Sequence, residues 1–299
     1  MYTVLGASGN TGHMVAKHLL SNGKKVRVVG RNADHLQFLA KEGAEVFIGD
    51  VSSGPDLISA FRGVDSAYVM IPPDPTSNDV LAFQNRVIEA IAEGLRKSAI
   101  KNVVALSSIG ADKPRGTGPV LGLHNLEKQL NQIDGANILF LRAGYFMENT
   151  LPQASAIHRL GFAVGPLHPD LKIPMIATCD IGKAAGEALL RLDFRGKQTR
   201  ELLGNRDLDY KQVATIIGDA IGQPDLKYIR ASNDQLRANL VQTGMSPNFV
   251  DLLLEMAEAL NSGYMRALEP RSPENTTSTR FEDFVAGFFV PAYQEQVAA

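Results

Sequence analysis

The chain has a single cysteine, no tryptophan and no long run of apolar residues. Cys179 cannot close an internal disulfide, so the fold does not require an oxidising compartment. No stretch approaches the ~18 consecutive apolar residues that a membrane-spanning helix needs. The opening residues MYTVLG lack the basic start, apolar stretch and cleavage site of a secretory leader. Neither charge sign dominates. Thirty Lys and Arg against 32 Asp and Glu leave a formal net charge of −2, which is not the basic face of a general nucleic-acid binder. The six histidines show no HExxH spacing and no CxxC pair exists, so no metal site is expected. A Ser-His-Asp hydrolase is disfavoured, because no GxSxG elbow follows a strand. These absences predict a soluble, cytoplasmic protein with no metal, membrane or nucleic-acid partner.

What is present is globular in proportion: 299 residues, 44% apolar and 21% charged, with 27 Gly and 15 Pro. That length fits one large domain or two unequal ones. Up to about residue 142, short apolar runs alternate with helical patterns. Strands are predicted at 2–5, 25–29, 45–48, 66–71, 102–106 and 137–141, with helices at 11–22, 33–42, 55–62, 77–98 and 120–133. The strands are rich in Val, Ile and Leu without clean alternation, as in strands buried on both faces. Intervening helices supply the long crossovers that parallel strands need. The expected fold is α/β: a Rossmann-type doubly wound parallel sheet with a smaller, mostly C-terminal α+β lobe. Its ligands should sit at the carboxyl ends of the strands. The sheet domain is assigned to 1–150 and the substrate-side lobe to 151–299, with a strand near 199–204 returning to the sheet. Further strands are expected at 162–164 and 172–176. Helices are expected at 180–192, with Asp180 as N-cap, and at 210–221, 233–242, 247–260 and 281–289. Residues 269–279 read as a polar loop.

The strongest chemical signal is Gly6-Ala7-Ser8-Gly9-Asn10-Thr11-Gly12, placed after a strand and before a helix. Gly6 permits a tight turn, Gly9 lets backbone amides approach a pyrophosphate, and Gly12 allows close helix–strand packing. The helix dipole then faces the phosphates, and Ser8, Asn10 and Thr11 complete a dinucleotide-binding turn. The second strand ends at Arg31 rather than at an acid. A guanidinium suits a 2′-phosphate, so NADP(H) is preferred, with NAD(H) as the lesser alternative. Asp50, with Val51 beside it, either meets the adenine or serves as a turn residue for the next helix. Ile71 and Pro72, at the end of strand four, fall beside the cofactor by topology.

Several further segments complete a pattern: Val28-Val29-Gly30-Arg31, Gly49-Asp50-Val51, Ser107-Ser108-Ile109-Gly110, HNLEK at 124–128, LRAGYFMEN at 141–149 and DIGKAA at 180–185. Together with GASGNTG they resemble the NmrA-like branch of the atypical short-chain dehydrogenases/reductases, over most of the chain. The resemblance implies NAD(P) binding and a small C-terminal substrate lobe. Some relatives are NADPH-dependent reductases of quinones, azo dyes or triphenylmethane dyes; others are redox-sensing regulators that turn nothing over.

Short-chain dehydrogenases typically carry Tyr-xxx-Lys. Here the spacing survives as His124 and Lys128, without the tyrosine. The resemblance places Lys128 in the cofactor site. His124 is a candidate proton donor, or a hydrogen-bonded structural histidine. Ser107 and Ser108 either orient a substrate or are satisfied by backbone. Gly144, Tyr145 and Phe146 should border the nicotinamide, the two rings forming a wall of a flat pocket or simply packing; Asn149 would hold that loop. Tyr264 is expected to join the acceptor cavity from the C-terminal lobe. Without the tyrosine, an electron-poor acceptor fits better than a ketone, because it needs less help from a protein acid. The expected function is an NADPH-dependent oxidoreductase passing hydride to a quinone-, azo- or dye-like acceptor. The alternative is an NAD(P)-sensing regulatory protein. A small-molecule acceptor is the expected partner, and a homo-oligomer is allowed.

Overall fold

The computed structural model describes residues 1–98 and 100–298. The six predicted strands form as β1 (Tyr2–Val4), β2 (Val26–Gly30), β3 (Glu45–Ile48), β4 (Ser66–Val69), β5 (Asn102–Ser108) and β6 (Asn137–Ala143). Between them run α1 (Asn10–Ser21), α2 (Gln37–Lys41), α3 (Gly54–Ala60), α4 (Val80–Ser98) and α5 (Val120–Asn131). Helix α4 starts later than its pattern suggests. Prolines at 72, 73 and 75 cannot extend it backwards, and Asp79 Oδ1 accepts from Ala82 N at 2.9 Å, which fixes the start.

Next come β7 (Tyr145–Phe146), α6 (Gln153–Leu160), β8 (Ala163–Gly165), β9 (Ile173–Ile176), α7 (Thr178–Arg191), β10 (Lys197–Leu202) and β11 (Arg206–Leu208). They are followed by α8 (Tyr210–Ile221), β12 (Tyr228–Arg230), α9 (Asn233–Gln242), α10 (Pro247–Asn261) and a helical segment from Phe281 to Ala298 with a π-turn at Val285–Phe289.

The main sheet has seven strands in the order β10-β6-β5-β4-β1-β2-β3, and every pair is parallel. From β1 the chain winds outward to β3; from β4 it winds the other way to β10. The reversal lies between β1 and β4, which opens a crevice at their carboxyl ends. The returning strand is β10, paired with β6 from Lys197 opposite Ile138 to Leu202 opposite Ala143.

One sheet face is covered by α3, α4 and α5, through Leu57, Phe61, Val87, Ile91, Leu126 and Leu130. The other is covered by α1 and α7, through Val15, Leu19, Ile181, Ala185 and Leu189. These last two helices pack very closely. A Cβ on Gly182 would lie 2.4 Å from Met14 Cβ, and one on Gly186 would lie 2.7 Å from His18 Cδ2. A third cluster joins α8, β9 and the terminal segment, where Phe281, Phe284, Val285 and Phe289 share one buried face while Phe288 faces out.

Asp180 is not the N-cap of its helix. Helix α7 begins two residues earlier, at Thr178, and Asp180 sits in its first turn, accepting from Thr279 N and Oγ1 at 3.0 and 2.8 Å. Glu148 covers the helix start instead, accepting from Thr178 N and Oγ1 at 2.9 and 2.5 Å. The cap therefore comes from 30 residues upstream, beyond the reach of a local pattern. No described helix is long and apolar enough to cross a membrane.

Candidate active site

Because the strands are parallel, their carboxyl ends gather on one edge the turn 6–12, Arg31, Asp50, residues 70–73, Ser107–Ser108 and Gly144–Phe146. At the turn, Gly6 has φ +65°, and a Cβ there would sit 2.6 Å from Met70 Sδ on the neighbouring strand end. A Cβ at Gly12 would lie 2.3 Å from Gly6 O. Gly9 differs: only Gly6 O, at 3.4 Å, comes within 4 Å of its Cβ position, an ordinary contact that leaves room for a side chain. Gly9 is also the N-cap of α1, with no side-chain cap and no acid in the first turn. Ser8, Gly9 and Asn10 are exposed. The result is a bare helix start beside an open glycine, a cradle that an anion would fill.

Thr11 turns its hydroxyl inward. It is buried, and its Oγ1 accepts from Tyr68 OH at 3.0 Å; burial pushes that phenol far up. Its side chain supports the turn from below, leaving only its backbone for a ligand.

Arg31 is exposed at the tip of β2. Asp50 follows β3. Its Oδ1 accepts from Ser52 N and Oγ, both at 2.8 Å, so its turn role is realised and one carboxylate oxygen is left over. The Ser52 backbone bond first, and the Arg31 charge last, hold its carboxyl below the usual range. Val51 is partly buried beside it.

Toward β4, β5 and β6 the edge deepens into a cleft of about 330 Å³. Met70, Ile71 and Pro72 form one side; Leu106, Ser107 and Ser108 the floor; Gly144, Tyr145 and Phe146 the far wall. Gly144 is required for the swing from β6 into β7, since a Cβ there would lie 2.6 Å from Pro174 O. Tyr145 accepts from Tyr210 OH at 3.3 Å, and Tyr210 stacks on Tyr228 with centroids 4.5 Å apart. Burial raises the pKa of Tyr145, keeping it a neutral phenol.

Ser107 is fixed by a buried ion pair that sequence reasoning missed. Arg142 on β6 grips Glu127 on α5 with Nε–Oε1 at 2.9 Å and Nη2–Oε2 at 2.6 Å. Ser107 Oγ donates to the same Oε1 at 2.6 Å. With its proton committed inward, Ser107 presents only an acceptor to the cleft, not a donor. Arg142 stood out as the one ionisable residue of the apolar strand β6, but Glu127 lies among the polar residues of α5 and carried no local signal.

The structure does not bring His124 and Lys128 into this cleft. Helix α5 turns Val120 and Leu123 toward it. At ~100° per residue, Lys128 points about 140° away from Leu123. Lys128 is exposed, and His124 Nδ1 is 2.9 Å from Ala111 O; both open onto a separate recess with Asp112 and Asn131. In this arrangement His124 is hydrogen-bonded to the backbone and Lys128 faces solvent, outside the cleft. Tyr264 also lies elsewhere. Its ring sits beneath Lys113 Nζ, 5.4 Å from the centroid, in a depression with Arg115 and Glu255. Phe249 and Met256 of α10 take its place as the lobe's contribution, together with Gln84 and Asn149. Among the described residues, no group of acids, histidines and cysteines could hold a metal ion.

The NmrA-like family model matches residues 2–285. The chain belongs to the NmrA-like family. An NAD(P)H azoreductase from Xenophilus azovorans is 26% identical over 278 residues, covering 92% of this chain and 93% of the azoreductase. A (4-alkanoyl-5-oxo-2,5-dihydrofuran-3-yl)methyl phosphate reductase from Streptomyces griseus is 25% identical over 276 residues, with the same coverage of 92% and 93%. The solved structure of an NADPH-dependent quinone oxidoreductase from Escherichia coli, complexed with NADPH, superposes with a TM-score of 0.81 at 23% identity, covering 97% of this NmrA-like chain and 100% of that one.

Proposed function

We propose that this NmrA-like protein is an NADPH-dependent reductase that passes hydride to a small, flat, electron-poor acceptor such as a quinone or an azo compound. One observation carries the reading: a bare helix start above an open glycine and an apolar, aromatic-walled cleft share the carboxyl edge of one parallel sheet. The spacing suits a molecule with a diphosphate at one end and a reactive ring at the other. The names of the azoreductase and quinone oxidoreductase relatives point to the same chemistry.

When bound, the nicotinamide cofactor would supply a hydride. The chain's own residues hold and orient. Amides of Ser8 to Gly12 face the diphosphate, with Gly6 and Gly12 setting the curvature. Arg31 pairs with a 2′-phosphate, and Asp50 and Val51 border the adenine. Ser107, restricted to accepting, is suited to a carboxamide N–H, while Ile71, Pro72, Tyr145 and Phe146 confine the ring and the acceptor and exclude water. A neutral Tyr145 adds no negative charge against incoming hydride. With neither His124 nor Lys128 in the cleft, an acceptor that is already electrophilic and takes its proton from solvent suits it best.

The test is the loss of NADPH absorbance with a panel of quinones and azo compounds. Turnover of one or more supports the reading. Tight nucleotide binding with no turnover across the panel would replace it with a nucleotide-sensing role.

A further inference from the structure

Resting on the reductase reading above, we propose that the cleft sorts acceptors by charge: it takes cationic and neutral flat aromatics and rejects anionic ones, with Asp74 setting the preference. Among the described residues that line the cleft there is no Lys, Arg or His, and Asp74 is the one carboxylate. Behind the cleft residue Ser107, Arg142 is neutralised by its bidentate bond to Glu127 and offers no charge to a sulfonate, carboxylate or phosphate.

Asp74 is held in place rather than swinging free. Its Oδ1 accepts from Thr76 N at 3.2 Å and Thr76 Oγ1 at 2.9 Å. Its second carboxylate oxygen has no hydrogen-bond partner among the described residues. The surrounding loop is pinned by the start of α10: Ser246 N donates to Pro75 O at 2.8 Å, Ser246 Oγ to Ser77 O at 2.6 Å, and Asn248 Oδ1 accepts from Val80 N at 2.9 Å. Asp74 is partly exposed at the rim of an apolar cleft, so its charge acts on a charged group seated next to it rather than at long range. It attracts a cation and repels an anion, and both effects widen the same ratio.

Where the cationic centre is itself the electrophilic carbon, hydride supplied by a bound nicotinamide would form a carbon–hydrogen bond there and lower the acceptor's charge by one with no proton taken up, so the product would no longer be drawn to Asp74. A quinone with a remote ammonium tail keeps that charge and takes its proton from solvent, so for it the preference is read in binding and in the specificity constant alone.

Three naphthoquinones sharing one reactive ring and carrying a neutral, a quaternary ammonium or a sulfonate tail make the test. Specificity constants are measured for the native protein, Asp74→Asn and Asp74→Lys. Alongside, calorimetry on the protein without nucleotide reads the binding of three non-reducible naphthalenes with the same tails. Asparagine retains the turn bonds at Oδ1, and thermal melting checks that each variant is folded. The expected order is ammonium, then neutral, then sulfonate. Asp74→Asn should shrink the ammonium-to-sulfonate ratio by about ten-fold or more, and Asp74→Lys should invert it. Equal values for the three tails in the native protein, or an unchanged ratio in Asp74→Asn, overturns the proposal. Turnover without sorting sinks this inference alone. Charge-sorted binding with no turnover of any acceptor sinks the reductase reading and leaves the charge selectivity standing.

Discussion

At the scale of single residues, Gly9 and Arg31 carry the cofactor reading, and each makes a separable prediction. Arg31 is exposed and, among the described residues, hydrogen-bonds no carboxylate, so removing it should leave the fold intact. A charge-assisted contact is worth roughly 1.5–3 kcal/mol. Arg31→Ala should therefore weaken NADPH binding by about 10- to 100-fold and NADH far less, as read by fluorescence titration. Equal losses for both nucleotides would remove Arg31 from the 2′-phosphate role.

Glu127 behaves differently because its value is architectural. Its side chain is 8% exposed and that of Arg142 is 14%. Glu127→Gln leaves the guanidinium without its counter-charge, which should cost about 3 kcal/mol. It should also loosen Ser107, raising KM for NADPH. Denaturant melts and steady-state kinetics check both. The residues of the glycine turn were legible from the sequence because each glycine stands where a turn demands it. Glu127 was not, since a buried acid announces itself only once its cation, 15 residues away in sequence, is known.

Among elements, the central strands were readable because each is an apolar run set between helical patterns, and the short β1 also leads into the glycine turn. β7, β11 and β12 were not. They have two or three residues each, too few for any period, and their pairing is decided by partners far along the chain. Helix α6 was missed for a related reason: of its eight residues only Ala154 and Ile157 are buried. Helix α5 shows how a motif position can mislead. Spacing alone put His124 and Lys128 on one face, but the rotation of the helix gave the cleft to Val120 and Leu123. The contact of α1 with α7 yields a prediction at this scale. Gly182→Val forces side-chain atoms into Met14 and the Thr11 backbone. Overpacking of this kind costs about 1–3 kcal/mol. Since α1 carries the bare helix start, the same change should weaken nucleotide binding, whereas substitutions at the exposed Lys183 of α7 should do neither.

For the whole molecule, the sheet order explains why one edge holds every candidate contact: the winding reverses between β1 and β4, and the crevice follows. We propose a functional division in which α7 and β10, although late in the sequence, belong with the sheet. The remaining segments after residue 150 would then form the acceptor side, reaching the cleft through Phe249 and Met256. A ligand that binds only the folded chain stabilises it, by about 2.7 kcal/mol at 100 times its dissociation constant. NADPH should thus raise the melting temperature more than NADH does.

The most direct measurement is a calorimetric titration of NADPH into the native protein and into Gly9→Val, each with its unfolding midpoint. A Cβ at Gly9 meets only Gly6 O, at 3.4 Å, and its φ of −98° suits any L-residue, so the variant should unfold close to the native chain. The native protein should bind one nucleotide per chain, and Gly9→Val should show little or no heat. A native protein that gives no heat at millimolar NADPH, or a variant that binds as tightly as the native one, would contradict the account.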